Sequence, residues 1–566
     1  MNAAMLAAVG LSMIYIGYRF YSKFIAEKIY RLDPDFVTPA HAQRDDIDYL
    51  PTNRIVLWGH HFTAVAGAAP IIGPGIAVIW GWLPAFLWVI VGTMFFAGVH
   101  DFGAVWASVR NKAKSVGALT GDVVSPRARL LFMFVVFFLL MMVNAVFGVA
   151  IANAFQDTPS AVIPAWSAIV VAVAIGVLIY RMHVPILWPT IIGTVILYAV
   201  IYLGEAIPIS LPASMLGLAP GAQWILILFL YAGIASLLPV WLLLQPRDYI
   251  NGIQLLVGLG LLYGAVLIAN PAIVAPAINA DLPASAPPML PLLFVTIACG
   301  AISGFHGLVG SGTTSKQLNK ETDARFVGYL GSSGEGALAL VAIIAATAGF
   351  ASQAEWRLMY SEFGNGGLTA FVQGGAVIVS NGVGISREFA ATLLTVMAVL
   401  FAGTTMDAGV RLQRYIIQEW GAIYKIPVLQ NGYVATGVAV ATCLLLAFGA
   451  SAARGLPAGE GGMVIWPLFG TTNQLLAGLT LLVISVMLVK LGRPARYTMI
   501  PMVLITTAAL AAALYQLLSL YRDGGIFYFL LWIDVIIVIL AIFVLLEASS
   551  AFMRERRAAE AAAAAA

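Results

Sequence analysis

"GFHGLVGSGTTSKQL", residues 304–318, closes an apolar run, "LPLLFVTIACGAIS" (290–303), that is otherwise an ordinary membrane helix. Four glycines, a histidine and four hydroxyls stand where polar groups are costly. Backbone amides and carbonyls in hydrocarbon must be bonded, so non-helical backbone at that depth is confined to places where protein or a water-filled cavity satisfies it. Gly304, Gly307, Gly310 and Gly312, with Ser303, Ser311, Thr313 and Thr314, are therefore read as an unwound point in a span. A second stretch, "HHFTAVAGAAPIIGPG" (60–75), crowds Gly67, Pro70, Gly73, Pro74 and Gly75 into the middle of another. Proline lacks a donor and clashes with the preceding turn, while Pro74 suits the start of a fresh half-helix.

Aligning Phe62 with Phe305 puts Gly67 on Gly310. Two interrupted spans at corresponding places, running antiparallel, point to a transporter built from inverted repeats. The competing reading is that the glycines only allow close helix packing, as in "GAISG" (300–304). If the helices are broken, each resuming half-helix offers free N–H groups and a positive dipole end to a carboxylate, and carbonyls at each stopping end can hold a cation. The substrate-binding candidates are Ala66 and Gly67 at one break and Ser303, His306, Gly307 and Ser311 at the other.

The rest of the chain sets the frame. With 566 residues, 61% hydrophobic and 10% charged, it cannot fold as one water-soluble core and is read as an all-α polytopic membrane protein. Cys299 and Cys443 are too few for a disulfide framework or a cysteine zinc site. A net charge of +3, with basic residues clustered beside apolar segments, argues against nucleic acid. At ~20 residues per crossing, fifteen spans begin near residues 3, 55, 84, 130, 162, 187, 223, 251, 291, 330, 387, 432, 464, 499 and 526. The first lacks the basic flank and cleavage site of a signal peptide and is read as retained.

With the N-terminus outside, only Arg357, Arg387, Arg454 and Arg522 of the 29 Lys and Arg fall outside, as the positive-inside rule asks. Residues 366–384 are read as an external hairpin or re-entrant segment. The division that follows is 1–54, an extra span and an inner elbow; 55–204, the first repeat; 205–290, two inserted spans; 291–490, the second repeat; and 491–566, two further spans and an Ala-rich tail.

Ionisable residues inside spans are functional candidates by default. His306 would pair with a substrate carboxylate or relay a proton, against a neutral ring bonded to a carbonyl. Glu335, in "GSSGEGALAL", is a proton carrier or a hydrated group near the inner surface. The spacing of Gly334, Gly336 and Ala339 suggests a nucleotide loop, but no strand precedes it. Asp407 is a coupling candidate, or simply the partner of Arg411 one turn on. His60, His61, His100 and Asp101 fall near inner span ends and serve as a gate or as interfacial hydrogen bonds; His60, His61 and Asp101 are also weak metal-ligand candidates. Asn473 and Gln474 are read as interhelical glue, with substrate contact as the alternative. No cofactor is expected, and the lack of a Walker motif argues against direct ATP drive.

"QPRDYIN" (245–251), "LFVTIACGAISGFHGLVGSGTTSKQL" (293–318), "MDAGVRLQRYIIQE" (406–419), "WPLFGTTNQLLAGLTL" (466–481) and "HHFTAVAGAAPIIGP" (60–74) resemble the carbon starvation protein A (CstA) family across most of the chain. The resemblance implies the amino acid, polyamine and organocation transporter superfamily and its LeuT-like five-plus-five inverted repeat. It also implies a bacterial inner membrane, with the N-terminus periplasmic and the C-terminus cytoplasmic, and uptake of peptides or pyruvate in carbon starvation, with H+ or Na+ as the coupling ion. Sodium-coupled relatives of the superfamily hold a cation between the first broken helix and a hydroxyl pair on the eighth helix of the repeat. That places Thr404 and Thr405 against the carbonyls around Ala64 to Gly67, with Asp407 neutralising the ion or taking a proton. A nutrient-binding membrane sensor without net transport and a membrane metalloenzyme are the competing classes; oligomeric state is open.

Overall fold

Leucine-, valine- and alanine-rich runs bounded by Pro, Gly and basic clusters fold here as helices, because a helix satisfies its own backbone and needs only apolar neighbours. The computed structural model describes residues 1–45, 48–185, 187–215, 217–239, 241–453, 462–523 and 528–565. Arg454 and the expected start of the last span at 526 lie outside the described residues. The helices are α1 (Ala3–Tyr30), α2 (Arg54–Val65), α3 (Ala69–Trp80), α4 (Trp82–Arg110), α5 (Val116–Val123), α6 (Pro126–Asp157), α7 (Pro159–Ile179), α8 (Leu187–Ala206), α9 (Pro220–Leu237) and α10 (Leu244–Ala269). They continue as α11 (Met289–Thr296), α12 (304–317), α13 (Arg325–Ala348), α14 (Gly367–Val383), α15 (Arg387–Ile423), α16 (Gly432–Ser451), α17 (Met463–Lys490), α18 (Arg496–Arg522) and α19 (Phe529–Arg557). Among the described residues no strand is formed.

Among the described residues thirteen helices are long and apolar enough to cross a membrane, or fourteen if the bent pair α2 and α3 is one span. Of the fifteen expected spans, the one near 291 is in pieces too short to meet that length. Residues 366–384 hold a single apolar helix, α14, of 17 residues. The first span is longer than expected and absorbs Ser22–Tyr30, the start of the stretch read as an elbow.

Burial sorts the helices. The most apolar 18 residues of α17 are 94% buried and those of α15 89%, whereas those of α8 are 33% buried. Polar residues without charge can therefore line α17 and α15, where other helices supply partners. The backbone bridge between Thr52 and Leu318 puts the start of α2 and the end of α12 at one end of the bundle, called here the Arg54 end.

Candidate functional site

The first break holds the expected place. The α2 helix stops at Val65, Ala66 to Ala68 are non-helical, and α3 resumes at a 50° angle. Pro70 sits in the first turn of α3, where its missing N–H has no helical acceptor to lose. Pro74 is inside α3 rather than at its start.

The second break lies upstream of the expected one. The α11 helix ends at Thr296, the chain is irregular from Ile297 to Ser303, and Gly300 takes φ +92°. Gly304 to Thr314, read from sequence as unwound, is helical with one π turn at Gly310–Thr314. Close packing explains Gly304 and Gly307 but not Gly312: a Cβ on Gly304 would stand 2.4 Å from the Asn473 carbonyl and one on Gly307 3.2 Å from His100, whereas one on Gly312 would meet nothing within 4 Å. Two of its hydroxyls bond within the helix, Ser311 to the Gly307 carbonyl at 2.6 Å and Thr313 to that of Val309 at 3.0 Å. The Phe62–Phe305 alignment thus paired the piece before one break with the piece after the other.

Freed backbone groups at the second break are satisfied by side chains from other helices. Gln474 donates to the Phe294 carbonyl (2.5 Å), Trp466 to Thr296 (3.2 Å), Trp88 to Ile297 (3.1 Å) and Thr93 to Gly300 (3.1 Å). Asn473 Oδ1 accepts the Phe305 amide at 3.0 Å, while its Nδ2 donates to Ser303 Oγ at 3.0 Å. Asn473 and Gln474, read as glue, are the caps of both loose ends. The first break differs. Among the described residues, no donor reaches the carbonyls of Ala66 and Gly67, and no side chain donates to that of Ala64.

Both breaks border one small void of about 10 Å³. Gly67, Phe147, Cys299, Phe305, Thr405 and Phe469 are among its walls. Thr405 stands beside Gly67, where a Cβ on the glycine would lie 2.7 Å from Thr405 Oγ1. Thr404 does not: its hydroxyl accepts from Asn251 Nδ2 at 2.6 Å and donates to the Leu400 carbonyl. Ala66 is fully buried beside the void, and Ser311 points elsewhere, accepting the Val116 amide. The aromatic walls were missed, because a Phe in a membrane helix looks the same facing lipid or cargo.

Two larger cavities lie beyond the void. One of about 200 Å³ touches Arg129, Val136, Leu308, Gly312, Leu412 and Glu419. The other, of about 190 Å³, touches Ile72, Ala150, Asp157, Gly366, Thr369 and Thr395. Along α6 the walls pass from Val136 through Val143 to Ala150, about 20 Å at 1.5 Å per residue. The α15 helix follows the same course through Thr395, Thr405 and Leu412. One lane thus runs between α6 and α15, with a cavity at each end and only the small void between them.

The titratable residues converge beside that void. His306 Nδ1 is 2.9 Å from Asp101 Oδ2, and its Nε2 is 3.3 Å from Glu335 Oε1. The other Asp101 oxygen meets His100 Nδ1 at 2.8 Å. All four side chains are buried. His306 Nδ1 therefore bonds a carboxylate rather than a carbonyl, its Nε2 faces a second one, and Glu335 is buried rather than hydrated at a surface. His61 meets Thr314 Oγ1 at 2.8 Å, and His60 faces Asp248 at 3.7 Å. His60, His61 and Asp101 go to three different partners, and among the described residues no set of three His, Cys, Asp or Glu could hold a metal.

Asp407 is paired with Arg247 of α10, not Arg411, and also accepts from Tyr231 at 2.7 Å. Arg411 instead caps the end of α9, donating to the Ala235 and Leu238 carbonyls, both at 2.8 Å. The sequence signal for this pair was "QPRDYIN", quoted only for its likeness.

The description "Carbon starvation protein CstA" belongs to a family model that matches residues 2–362 and 354–512. The peptide transporter CstA of Campylobacter jejuni is 31% identical, aligned over 92% of this chain and 81% of its own. The pyruvate/proton symporter BtsT of Escherichia coli K12 is 31% identical over 87% of this chain and 78% of its own. Among solved structures, the Eremococcus coleocola manganese transporter superposes with a TM-score of 0.52 at 12% identity, covering 91% of this chain and 99% of that one. The likeness to the last is one of fold.

Proposed function

The chain belongs to the carbon starvation protein CstA family, and from that premise we propose that it is a secondary active importer of small carbon sources, peptides or pyruvate, used in carbon starvation. Cargo binds between the two broken helices and reaches either side by alternating access. The observation that carries this reading is the lane between α6 and α15, with a cavity at each end and only the small void, bordered by both breaks, between them. A channel needs no such narrowing, while a carrier must keep one gate shut.

Protons drive the cycle. The His306, Asp101 and Glu335 cluster ties α12 to α4 and α13, so its protonation state bears on the fit of the resuming half-helix against its neighbours. A related protein named as a pyruvate/proton symporter agrees with this assignment. Sodium finds less support, because Thr404, half of the expected hydroxyl pair, is engaged by Asn251 and the Leu400 carbonyl. Gly67, Thr405, Phe147 and Phe305 contact cargo, and the α3 N-terminus receives its carboxylate.

The architecture fits a LeuT-like five-plus-five inverted repeat, 55–204 with 291–490, of the amino acid, polyamine and organocation superfamily. The helices α9 and α10 are then insertions. The bacterial inner membrane would hold the chain with its N-terminus in the periplasm and the Arg54 end in the cytoplasm, where Lys112, Lys114 and Lys316 gather.

Purified protein in liposomes, loaded with labelled pyruvate or labelled dialanine, tests the reading. Counterflow of one of them, with accumulation under an imposed proton gradient, is expected. Binding without counterflow would make the protein a sensor, and accumulation under sodium alone would reverse the ion assignment.

A further inference from the structure

We propose that His60, Asp248 and His61 form the route by which a proton leaves the His306, Glu335 and Asp101 cluster for the solvent at the Arg54 end. The inference rests on proton coupling and adds where the proton is discharged.

His61 lies next to the cluster without bonding to it. Its ring packs against Gly331, where a Cβ would stand 2.6 Å from Cδ2 and 3.2 Å from Nε2, and against Gly310 on α12. Gly331 is one turn before Glu335 on α13, and Gly310 one turn after His306 on α12, so each is about 5.4 Å along its helix from the cluster. His61 Nδ1 is held by Thr314 Oγ1, while Nε2, fully buried, has no hydrogen-bond partner. An unpartnered imidazole nitrogen at such depth is costly to leave idle, and this one faces Gly331 of α13.

His60 is the next residue and is turned about 100° around α2. Its side chain is 23% exposed, in contrast to the fully buried His61, and its Nδ1 faces Asp248 Oδ2 at 3.7 Å. Neighbouring charges leave Asp248 for this task. Arg247 is neutralised by Asp407, with Tyr231 bonded to both, and Arg411 is spent on the α9 carbonyls. Arg54 at the start of α2 stacks on Phe326. The second Asp248 oxygen is buried without a partner. An imidazolium formed on His60 thus faces a carboxylate that, among the described residues, forms no salt bridge with Arg or Lys.

The step moves one proton and changes no other bond. His61 Nε2 takes the proton from the cluster, and the charge is handed to His60, which gives a proton to water while Asp248 holds its Nδ1. Each transfer requires ring rotation or bridging water. In this account α10 supplies the counter-charge of the exit.

The test uses full-length protein in liposomes with labelled pyruvate, or labelled dialanine if that is the cargo carried, in wild type, His60→Gln, His60→Ala, Asp248→Asn and His61→Gln. Exchange of cargo needs no net discharge of protons, whereas accumulation does. Each variant should lose proton-driven accumulation by about tenfold while counterflow stays within about twofold, and imidazole at millimolar concentration should restore accumulation to His60→Ala. Accumulation within twofold of wild type in both His60→Gln and Asp248→Asn overturns the route. So does an equal loss of counterflow and accumulation without imidazole rescue, which assigns these residues to packing. If wild type itself shows no proton-driven accumulation, the symport reading falls first, and the route with it.

Discussion

Asn473 caps a helix it does not belong to, its Oδ1 accepting the amide of Phe305 at 3.0 Å across the second break. The same side chain holds Ser303 through Nδ2, so one residue of α17 fixes the start of α12 from both sides. Removing such a cap costs ~1 kcal/mol, and leaving a buried amide unbonded adds ~1–3 kcal/mol. Asn473→Ala should therefore lower the melting temperature in detergent by several degrees, read by scanning fluorimetry. No change would mean that water takes over the Phe305 amide.

Gly67 and Thr405 meet across the void. A methyl group on Gly67 would lie 2.7 Å from Thr405 Oγ1, so Gly67→Ala should overpack the closed state by ~1–3 kcal/mol and slow counterflow about tenfold. Adding Thr405→Ala removes the clashing oxygen and should recover most of that rate. Failure of the double variant to recover would show that glycine is needed for its backbone.

Arg247 and Asp407 are each almost wholly buried, 4% and 3% exposed. Breaking such a pair from one side costs ~3–5 kcal/mol, because a lone charge is left inside. Asp407→Asn should cut the yield of folded protein in size-exclusion chromatography sharply. Arg247→Met with Asp407→Leu should restore the yield, since the pair need not be ionic to pack. If the double variant folds yet no longer accumulates cargo, the pair also takes part in coupling.

Arg129 and Glu419 form an ion pair beside the cavity at the Arg54 end, with side chains 45% and 39% exposed. Exposed pairs contribute ~0–1 kcal/mol, so Glu419→Gln should leave the melting temperature within a degree or two. Its effect should appear in transport, as a changed rate of cargo release in counterflow that weakens at high salt. A salt-independent rate equal to wild type would remove the pair from the exit.

Much of the architecture could be read directly. Long apolar runs between basic clusters identify spans by length alone, and Gly67 with Pro70 marks a break because a proline N–H is absent wherever the helix stops. The second break was misplaced because glycine serves two purposes. Gly304 and Gly307 let α12 approach α17 and α4, whereas Gly300, in a less glycine-rich stretch, carries the left-handed turn. Local sequence does not separate the two uses. The partners of His306, Asp101 and Asp407 were invisible for a related reason: Asp101 lies 205 residues from His306 and Arg247 160 from Asp407, and only folding makes them neighbours.

Four donors from α4 and α17 grip the carbonyls at the end of α11 and through the irregular stretch after it, while those at Ala66 and Gly67 are left unclaimed. The two interruptions are therefore unequal under load. A pull on α11 is transmitted into α17, like a beam bolted to its post. A pull on α2 meets a joint with nothing bolted across it. Opening toward either side should bend the chain at Ala66 and Gly67, and crosslinks from α11 to α17 should leave transport intact where crosslinks from α2 to α3 stop it.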